Sequence, residues 1–189
     1  MSTTPYIKKR DFSICDTVSV CATTNRECVE QIFDLPVEPV SATIDLVGVP
    51  AVISASESEE IKEMYSKATM AIIDGMPIVK RGRKLGFECD RCAAPDIMGP
   101  IFEESVKRNK THYFYGGKDD EVLVKLRENL EKAYPGIQIL GMYSPPFRPL
   151  TDEEDAAICR EINELKPDFL WVGIGAPKQE TVSYTHLRA

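Results

Sequence analysis

The chain has 189 residues, 43% of them hydrophobic and 28% charged, which suits one globular domain with enough length to bury a core. Its formal net charge of −7 argues against a nucleic-acid binder, which needs a basic face for phosphates. The sequence has no apolar run of the roughly 18 to 20 residues that span a bilayer and no signal-peptide pattern. We therefore expect a cytoplasmic protein.

Residues 1–40 have the weakest secondary-structure pattern of the chain. Within them, residues 24–33 predict a short helix. A β-branched run over 40–52 predicts one or two buried strands. Residues 56–68 predict a helix with apolar side chains at helical spacing, and residues 70–73 predict a short buried strand. Helices thus begin to alternate with strands.

The second part of the chain continues this alternation. Further helices are predicted over 96–109 and 119–133 and from the capping box at Thr151, and further strands over 111–115, 137–140 and 169–175. Strands separated by helices favour βαβ units. We predict a Rossmann-like α/β fold with a mainly parallel sheet flanked by helices.

Ligands of such sheets bind at the carboxyl ends of the strands, so the residues that follow each strand are the candidates for a site. Asp74 follows the strand over 70–73 and precedes Gly75. A carboxylate there can act as a general base that accepts a proton from an attacking hydroxyl. An Asp-Gly pair is also a common turn, and composition alone favours that alternative.

Three more candidates contain groups suited to phosphates and hydroxyls. Gly116 and Gly117 could let a phosphate approach a helix N-terminus, although a tight turn explains them equally well. The segment 173–180 runs from a buried strand into a cation, an amide and a carboxylate, or else it begins a solvated helix. Arg91 and Arg148 could bind anions bidentately, although most arginines are surface residues.

The six cysteines are expected to be free thiols, because no secretory signal accompanies them. Cys89 and Cys92 form a C-x-x-C pair, which admits a zinc or redox site as an alternative. A structural zinc site needs about four ligands, and neither a second pair nor a nearby histidine follows. Loop cysteines are therefore the simpler interpretation.

Taken together, the segments resemble the WecG/TagA/CpsF family, glycosyltransferase family 26. The resemblance is carried, in the family's order, by residues 71–79, 90–98, 113–117 and 171–180, with the loop 143–148 typical of a subset. It covers residues 41–180. We predict a poorly defined segment over 1–40, the glycosyltransferase domain over 41–180, and a non-native or truncated tail over 181–189.

The resemblance implies an inverting transfer without a metal ion or other cofactor. The donor would be a UDP-sugar, N-acetylmannosamine or a related sugar, and the acceptor undecaprenyl-diphosphate-linked N-acetylglucosamine, in the synthesis of a cell-surface polysaccharide such as teichoic acid or exopolysaccharide. Asp74 would be the catalytic base. The substrate-binding residues would be Thr43, Asp45, Gly75, Arg91, Asp96, Gly116, Gly117, Arg148, Gly175, Pro177, Lys178, Gln179 and Glu180.

The resemblance also implies partners and a location. Relatives continue with a C-terminal segment that meets the membrane, so we expect a peripheral protein at the inner face of the plasma membrane, and homo-oligomer formation stays open. Asp74 and Gln179 are expected to contact one sugar nucleotide. The alternative function is a nucleotide-sugar-binding module without catalysis.

Overall fold

The computed structural model describes residues 11–35, 41–176 and 178–179. They belong to two compact units, an N-terminal unit that runs to Pro100 and a C-terminal unit that starts at Ile101. Both units combine helices with parallel strands, which confirms the predicted Rossmann-like α/β class. Over the described ranges, no helix is both long and apolar enough to cross a bilayer.

The N-terminal unit holds four strands and four complete helices within its described residues. They are β1 (Phe12–Ile14), β2 (Val18–Val20), α1 (Asn25–Phe33), β3 (Ile44–Val47), α2 (Val49–Glu57), α3 (Glu59–Lys67), β4 (Met70–Ile73) and α4 (Met76–Lys84). β1 and β2 form an antiparallel hairpin, and β3 pairs with β4 in parallel. The helix α5 (Ala94–Arg108) begins in this unit and ends in the next.

Several predicted elements of this unit are confirmed. β4 has the predicted bounds, and all of its residues are buried. The helix α1 begins after Thr24, which forms a capping box with Glu27. The weakly patterned first segment also contains the β1–β2 hairpin, which the sequence did not predict. Its turn places Cys15 and Asp16 at positive φ, where the usual glycine or asparagine signal is missing.

The prediction for residues 48–58 is wrong in part. β3 ends at Val47, and Val49 to Val52 lie in α2. This helix begins after Gly48 and has a proline in its first turn. The fixed φ of proline suits that position, even though the β-branched side chains of the segment favour a strand. Ser58 then caps α3 through a hydrogen bond from the backbone N–H of Ile61, so the predicted single helix is two.

The C-terminal unit is a three-stranded parallel sheet with helices. Its elements are the rest of α5, β5 (Thr111–Gly116), α6 (Asp120–Ala133), β6 (Gln138–Tyr143), α7 (Asp152–Leu165) and β7 (Phe169–Gly173). The strand order is β6-β5-β7. All the helices and strands predicted here are present, with β6 longer and β7 shorter at the carboxyl end than predicted. The capping box at Thr151 is confirmed.

An aromatic cluster around His112 packs one face of this sheet. The His112 side chain is fully buried, and its Nδ1 accepts a hydrogen bond from Trp171 Nε1 at 3.1 Å. Phe102 meets the imidazole edge-on and Phe169 stacks on it. Within the described residues, His112 Nε2 has no hydrogen-bond partner. Burial lowers the pKa of His112 to about 4, so the ring is neutral near pH 7.

This burial predicts a loss of stability in mild acid. The pKa of His112 is about 4 in the folded chain against an ordinary value of 6.5, so protonation favours the unfolded state as the pH falls from 6.5 towards 4. Between pH 7.5 and pH 5, the wild type should lose about 2 kcal/mol more unfolding free energy than His112→Phe. Urea titrations followed by Trp171 fluorescence measure this, and equal losses in the two proteins would contradict it.

β5 and β7 approach closely where they end, at Gly116 and Gly173. A Cβ on Gly116, whose φ is +147°, would lie 2.3 Å from the Gly173 carbonyl oxygen. Gly116→Ala should therefore lower the unfolding free energy by at least about 2 kcal/mol in the same assay. Gly173→Ala is the matched control, because its Cβ would meet nothing within 4 Å. A Gly116→Ala protein as stable as Gly173→Ala would refute this account.

Candidate functional site

The carboxyl ends of β3 and β4 form one candidate edge in the N-terminal unit. Asp74 follows β4 directly, and its backbone N–H donates to the Val47 carbonyl oxygen at 2.9 Å. Gly48 and Gly75 are the N-caps of α2 and α4, and neither helix start is capped by a side chain. A Cβ on Gly75 would lie 3.6 Å from Gly48 Cα and 3.7 Å from the backbone N of Val49. Two helix N-termini therefore meet beside Asp74.

The Asp74 carboxylate lies close to two helix N-termini. The first turns of α2 and α4 leave backbone N–H groups without helical partners and carry the positive end of each helix dipole. A Cβ on Gly48 would lie 3.4 Å from Asp74 Oδ2, so the carboxylate is close to the start of α2. In the described part of the chain, no group donates a hydrogen bond to this half-buried carboxylate. Its oxygens are therefore available to accept a hydrogen bond from a ligand.

Arg91 and Asp96 stand beside Asp74. Arg91 Nε and Nη2 donate to the two Asp96 carboxylate oxygens at 2.8 and 2.9 Å, a bidentate ion pair. The hydrogen bond to Asp96 raises the pKa of Arg91, and the nearby charge of Asp74 adds to this effect. The backbone N–H of Cys92 donates to the Ile73 carbonyl oxygen at 2.6 Å, which ties this loop to the end of β4. The predicted residues Asp74, Gly75, Arg91 and Asp96 are thus brought together.

Thr43 and Asp45 do not lie at this edge. Thr43 precedes β3 at its amino end, where its carbonyl oxygen accepts from Met70 N and its Oγ1 accepts from Thr69 N. Asp45 pairs with Ala71, two residues before the edge. With a rise of about 3.3 Å per residue, Thr43 is about 13 Å along the strand from Val47. A substrate-binding role for Thr43 and Asp45 stays a prediction.

Gly48 and Val49, which were not among the predicted site residues, stand at this edge. They follow β3 directly, as Asp74 and Gly75 follow β4. A glycine two residues before a proline, at the end of a β-branched run, was the available signal for a strand-to-helix turn there. The prediction of strand over the whole run 40–52 missed this turn.

The C-terminal unit has a second candidate edge, formed by the ends of β5, β6 and β7. Gly116, Gly117 and Gly175 have φ angles of +147°, +103° and +86°, which side chains rarely adopt. Ser144 follows β6, and its Oγ donates to the Gly117 carbonyl oxygen at 3.2 Å. A Cβ on Gly173 or Gly175 would meet nothing within 4 Å. A ligand could therefore approach bare backbone at this edge.

Lys178 and Gln179 follow β7 at the same edge. Gln179 N donates to the Gly175 carbonyl oxygen at 3.0 Å, which closes one helical turn just beyond the strand. Lys178 is exposed and Gln179 half-buried. A cation and an amide therefore stand next to Gly175, as the sequence predicted. Pro177 and Glu180, also predicted to bind substrate, lie outside the described residues.

Arg148 has a structural partner in this unit. It binds Glu154 bidentately, with both Nη···Oε distances 2.7 Å, and its Nη1 also donates to the Pro149 carbonyl oxygen. Arg148 lowers the pKa of Glu154 to about 2. The ion pair ties the proline-rich loop to the first turn of α7. A substrate-binding role for Arg148, which stays a prediction, would require exchange of this partner.

Asp74 and Gln179 belong to different units, so their contact with one ligand stays a prediction. All six cysteines are free thiols. Over the described residues, no group of three or more His, Cys, Asp or Glu side chains could hold a metal ion.

Comparison with known proteins identifies the family. The model of the glycosyl transferase WecG/TagA/CpsF family matches residues 13–189, a range that includes residues 181–189. A Bacillus subtilis N-acetylglucosaminyldiphosphoundecaprenol N-acetyl-beta-D-mannosaminyltransferase is 24% identical over 153 residues, 79% of this chain and 57% of the relative. A Staphylococcus aureus protein of the same name is 28% identical over 136 residues, 70% and 50% of the two chains.

The chain thus spans only 57% and 50% of these two relatives. The family match, by contrast, covers nearly all of the chain, including every residue of both candidate edges. From this match and the α/β fold of both units, the chain belongs to the glycosyl transferase WecG/TagA/CpsF family.

Proposed function

We propose that this protein transfers N-acetylmannosamine, or a related sugar, from UDP to undecaprenyl-diphosphate-linked N-acetylglucosamine, with inversion and without a metal ion. The names of the two relatives support the class of sugar and of acceptor. The observation that carries the proposal is the Asp74 carboxylate, which accepts no hydrogen bond in the described structure and lies beside two glycine-capped helix N-termini. The product would enter a cell-surface polysaccharide.

The proposed reaction is a single displacement. Asp74 accepts the proton of the acceptor hydroxyl while that oxygen attacks the anomeric carbon, and the bond from this carbon to the UDP oxygen breaks. Attack from the face opposite the leaving group inverts the anomeric centre. A base and a stabilised leaving group suffice for this chemistry, and no covalent nucleophile is needed.

The departing diphosphate needs positive charge near it. Arg91 and the helix N-termini at Gly48 and Gly75 provide a guanidinium and free backbone N–H groups next to Asp74. In the C-terminal unit, Lys178 and Gln179 offer a cation and an amide beside Gly175. We propose that these groups bind the phosphates and hydroxyls of the substrates.

The proposed acceptor determines the proposed location. An undecaprenyl chain is held in the membrane, so its transferase has to work at a membrane surface. We propose a peripheral enzyme at the inner face of the plasma membrane, where UDP-sugars are available. Homo-oligomer formation stays open.

Asp74→Asn tests the proposed base, because it keeps the shape of the side chain but removes the base. It should lower kcat about 100-fold or more and leave UDP binding within about twofold. UDP release with a lipid-diphosphate-linked N-acetylglucosamine acceptor measures turnover, and calorimetry measures binding. Asp16→Asn, at an exposed loop position, is the matched control and should retain wild-type turnover.

Three outcomes of this experiment are informative. Full turnover by Asp74→Asn would remove Asp74 as the base. A wild-type chain that binds UDP and UDP-sugars but transfers no sugar would support the alternative of a binding module. Loss of UDP binding in Asp74→Asn would mean that the carboxylate holds the donor instead of taking a proton.

A further test concerns the guanidinium of Arg91, beside Asp74. Arg91→Ala should weaken UDP-sugar binding about tenfold or more, because a charged hydrogen-bond donor to the diphosphate is lost. Arg26→Ala is the control, since Arg26 also pairs with a carboxylate, Glu30, but on the exposed face of α1. Calorimetric titration with UDP compares the two. Equal affinities would show that Arg91 does not contact the donor.

A further inference from the structure

The helix α4 carries a local concentration of positive charge. The chain as a whole is acidic, with 23 lysine and arginine residues against 30 aspartate and glutamate residues. Residues 75–87, by contrast, contain no acidic residue and four basic ones, which are Lys80, Arg81, Arg83 and Lys84. All four are exposed. Such a cluster on a chain of opposite net charge suits an anionic partner.

The buried side of α4 fixes the direction in which these cations point. Ile78 and Val79 belong to the hydrophobic core of the N-terminal unit. A Cβ on Gly82 would lie 2.8 Å from Phe12 Cζ and 2.9 Å from Cys89 Sγ, so this residue packs directly against its neighbours. The helix cannot rotate about its axis without losing these contacts. The side chains on its opposite side therefore point away from the core.

Two rows of exposed side chains, each spaced at i, i+4 and i+8, cover this outward side, which we call the α4 outer face. They are Met76, Lys80 and Lys84 in the first row and Pro77, Arg81 and Leu85 in the second. Within the described residues, no carboxylate forms an ion pair with a cation of either row. Arg83, at the margin of the face, binds Asp90 instead.

An anionic membrane surface is the partner whose chemistry fits the α4 outer face. Its three cations attract lipid phosphates, and the attraction depends on local charge, because more distant charges are screened by salt. Met76 and Leu85, at the two ends of the helix, are 46% and 44% exposed. These apolar side chains can enter the headgroup region of a bilayer. A nucleic-acid backbone would offer them no comparable apolar contact.

The α4 outer face begins next to the proposed catalytic base. Its first residue, Met76, lies two positions after Asp74, and the nine residues of α4 extend over about 13 Å. A surface that contacts α4 along this length therefore comes close to the strand edge that carries Asp74. An acceptor whose sugar is joined to a lipid by a diphosphate would be held at the same level.

We propose that the α4 outer face docks on an anionic lipid surface and that the docked helix presents the Asp74 edge to a lipid-linked acceptor. The second half of this statement rests on the proposed function. The first half does not, since the docking requires only the cations and the apolar ends of the face.

Sedimentation with lipid vesicles tests the docking in the absence of any sugar nucleotide or acceptor. The wild-type chain should bind vesicles of equal parts phosphatidylglycerol and phosphatidylcholine, and about 0.5 M salt should release it. The triple variant Lys80→Gln, Arg81→Gln, Lys84→Gln should bind about 100-fold more weakly, because each cation near an anionic surface contributes about fivefold. All three positions are exposed, so the variant should fold as the wild type does.

A matched control removes the same charge elsewhere. Lys107→Gln, Lys125→Gln, Lys132→Gln changes three exposed lysines of the C-terminal unit and should bind vesicles within about threefold of the wild type. Equal losses in the two triple variants would overturn the docking, since net charge alone would then explain the binding. Wild-type binding that is as strong to pure phosphatidylcholine, or that goes to duplex DNA and not to vesicles, would overturn it as well.

Turnover measurements separate the docking from the proposed function. With the lipid-linked acceptor embedded in the anionic vesicles, the α4 triple variant should transfer sugar at least about tenfold more slowly than its control. With a water-soluble, short-chain acceptor, the two should be equal. Equal rates on the embedded acceptor would overturn the presentation of Asp74 by α4. If no form of the chain transfers sugar, the proposed function fails while the vesicle result still decides the docking.

Discussion

The feature on which the candidate sites depend is the close approach of backbone where parallel strands end. In the N-terminal unit, the first turns of α2 and α4 come within side-chain distance of each other at Gly48 and Gly75. In the C-terminal unit, Gly116 lies so close to Gly173 that a single methyl group would not fit. Glycine is required at Gly116, whereas a Cβ at Gly48 or Gly75 would make only ordinary contacts. Both strand ends leave backbone that a ligand can reach.

Charge is arranged around this backbone in two different ways. Near Asp74, Arg91 is held by Asp96 in a planar, bidentate pair, so its position is fixed before any ligand arrives. Arg148 has an equally good partner in Glu154, but that pair closes the first turn of a helix and serves the fold. The two ion pairs have the same chemistry but different consequences. Of the two, only the Arg91 pair stands beside the Asp74 carboxylate, which accepts no hydrogen bond from the described residues.

The loop that carries Arg91 is held from several sides. Arg83 donates to the Cys89 carbonyl oxygen and to Asp90, and Asp90 binds the start of α1. Cys92 binds both β4 and Thr23. These contacts restrict the loop while leaving Arg91 half-exposed. Catalytic and binding groups on loops need such support, because a small displacement of a charged group weakens its interaction with a reacting substrate.

The sequence by itself determined the fold class, most helices and strands, and the position of Asp74. Apolar runs, helical periodicity and capping boxes are local signals, and β4, α1, α6 and α7 follow them closely. The family resemblance, carried by short segments around Asp74, Gly116 and Gly175, agrees with the family match. These are features that neighbouring residues encode among themselves.

Only the tertiary structure decided which distant residues meet. It placed Gly48 beside Asp74 and left Thr43 at the far end of β3, because the register of a parallel pair depends on the partner strand. It brought Cys92 into contact with Thr23, and it paired Arg148 with Glu154. Such contacts join segments far apart in the chain, and their free energy comes from burial and geometry that no local pattern records.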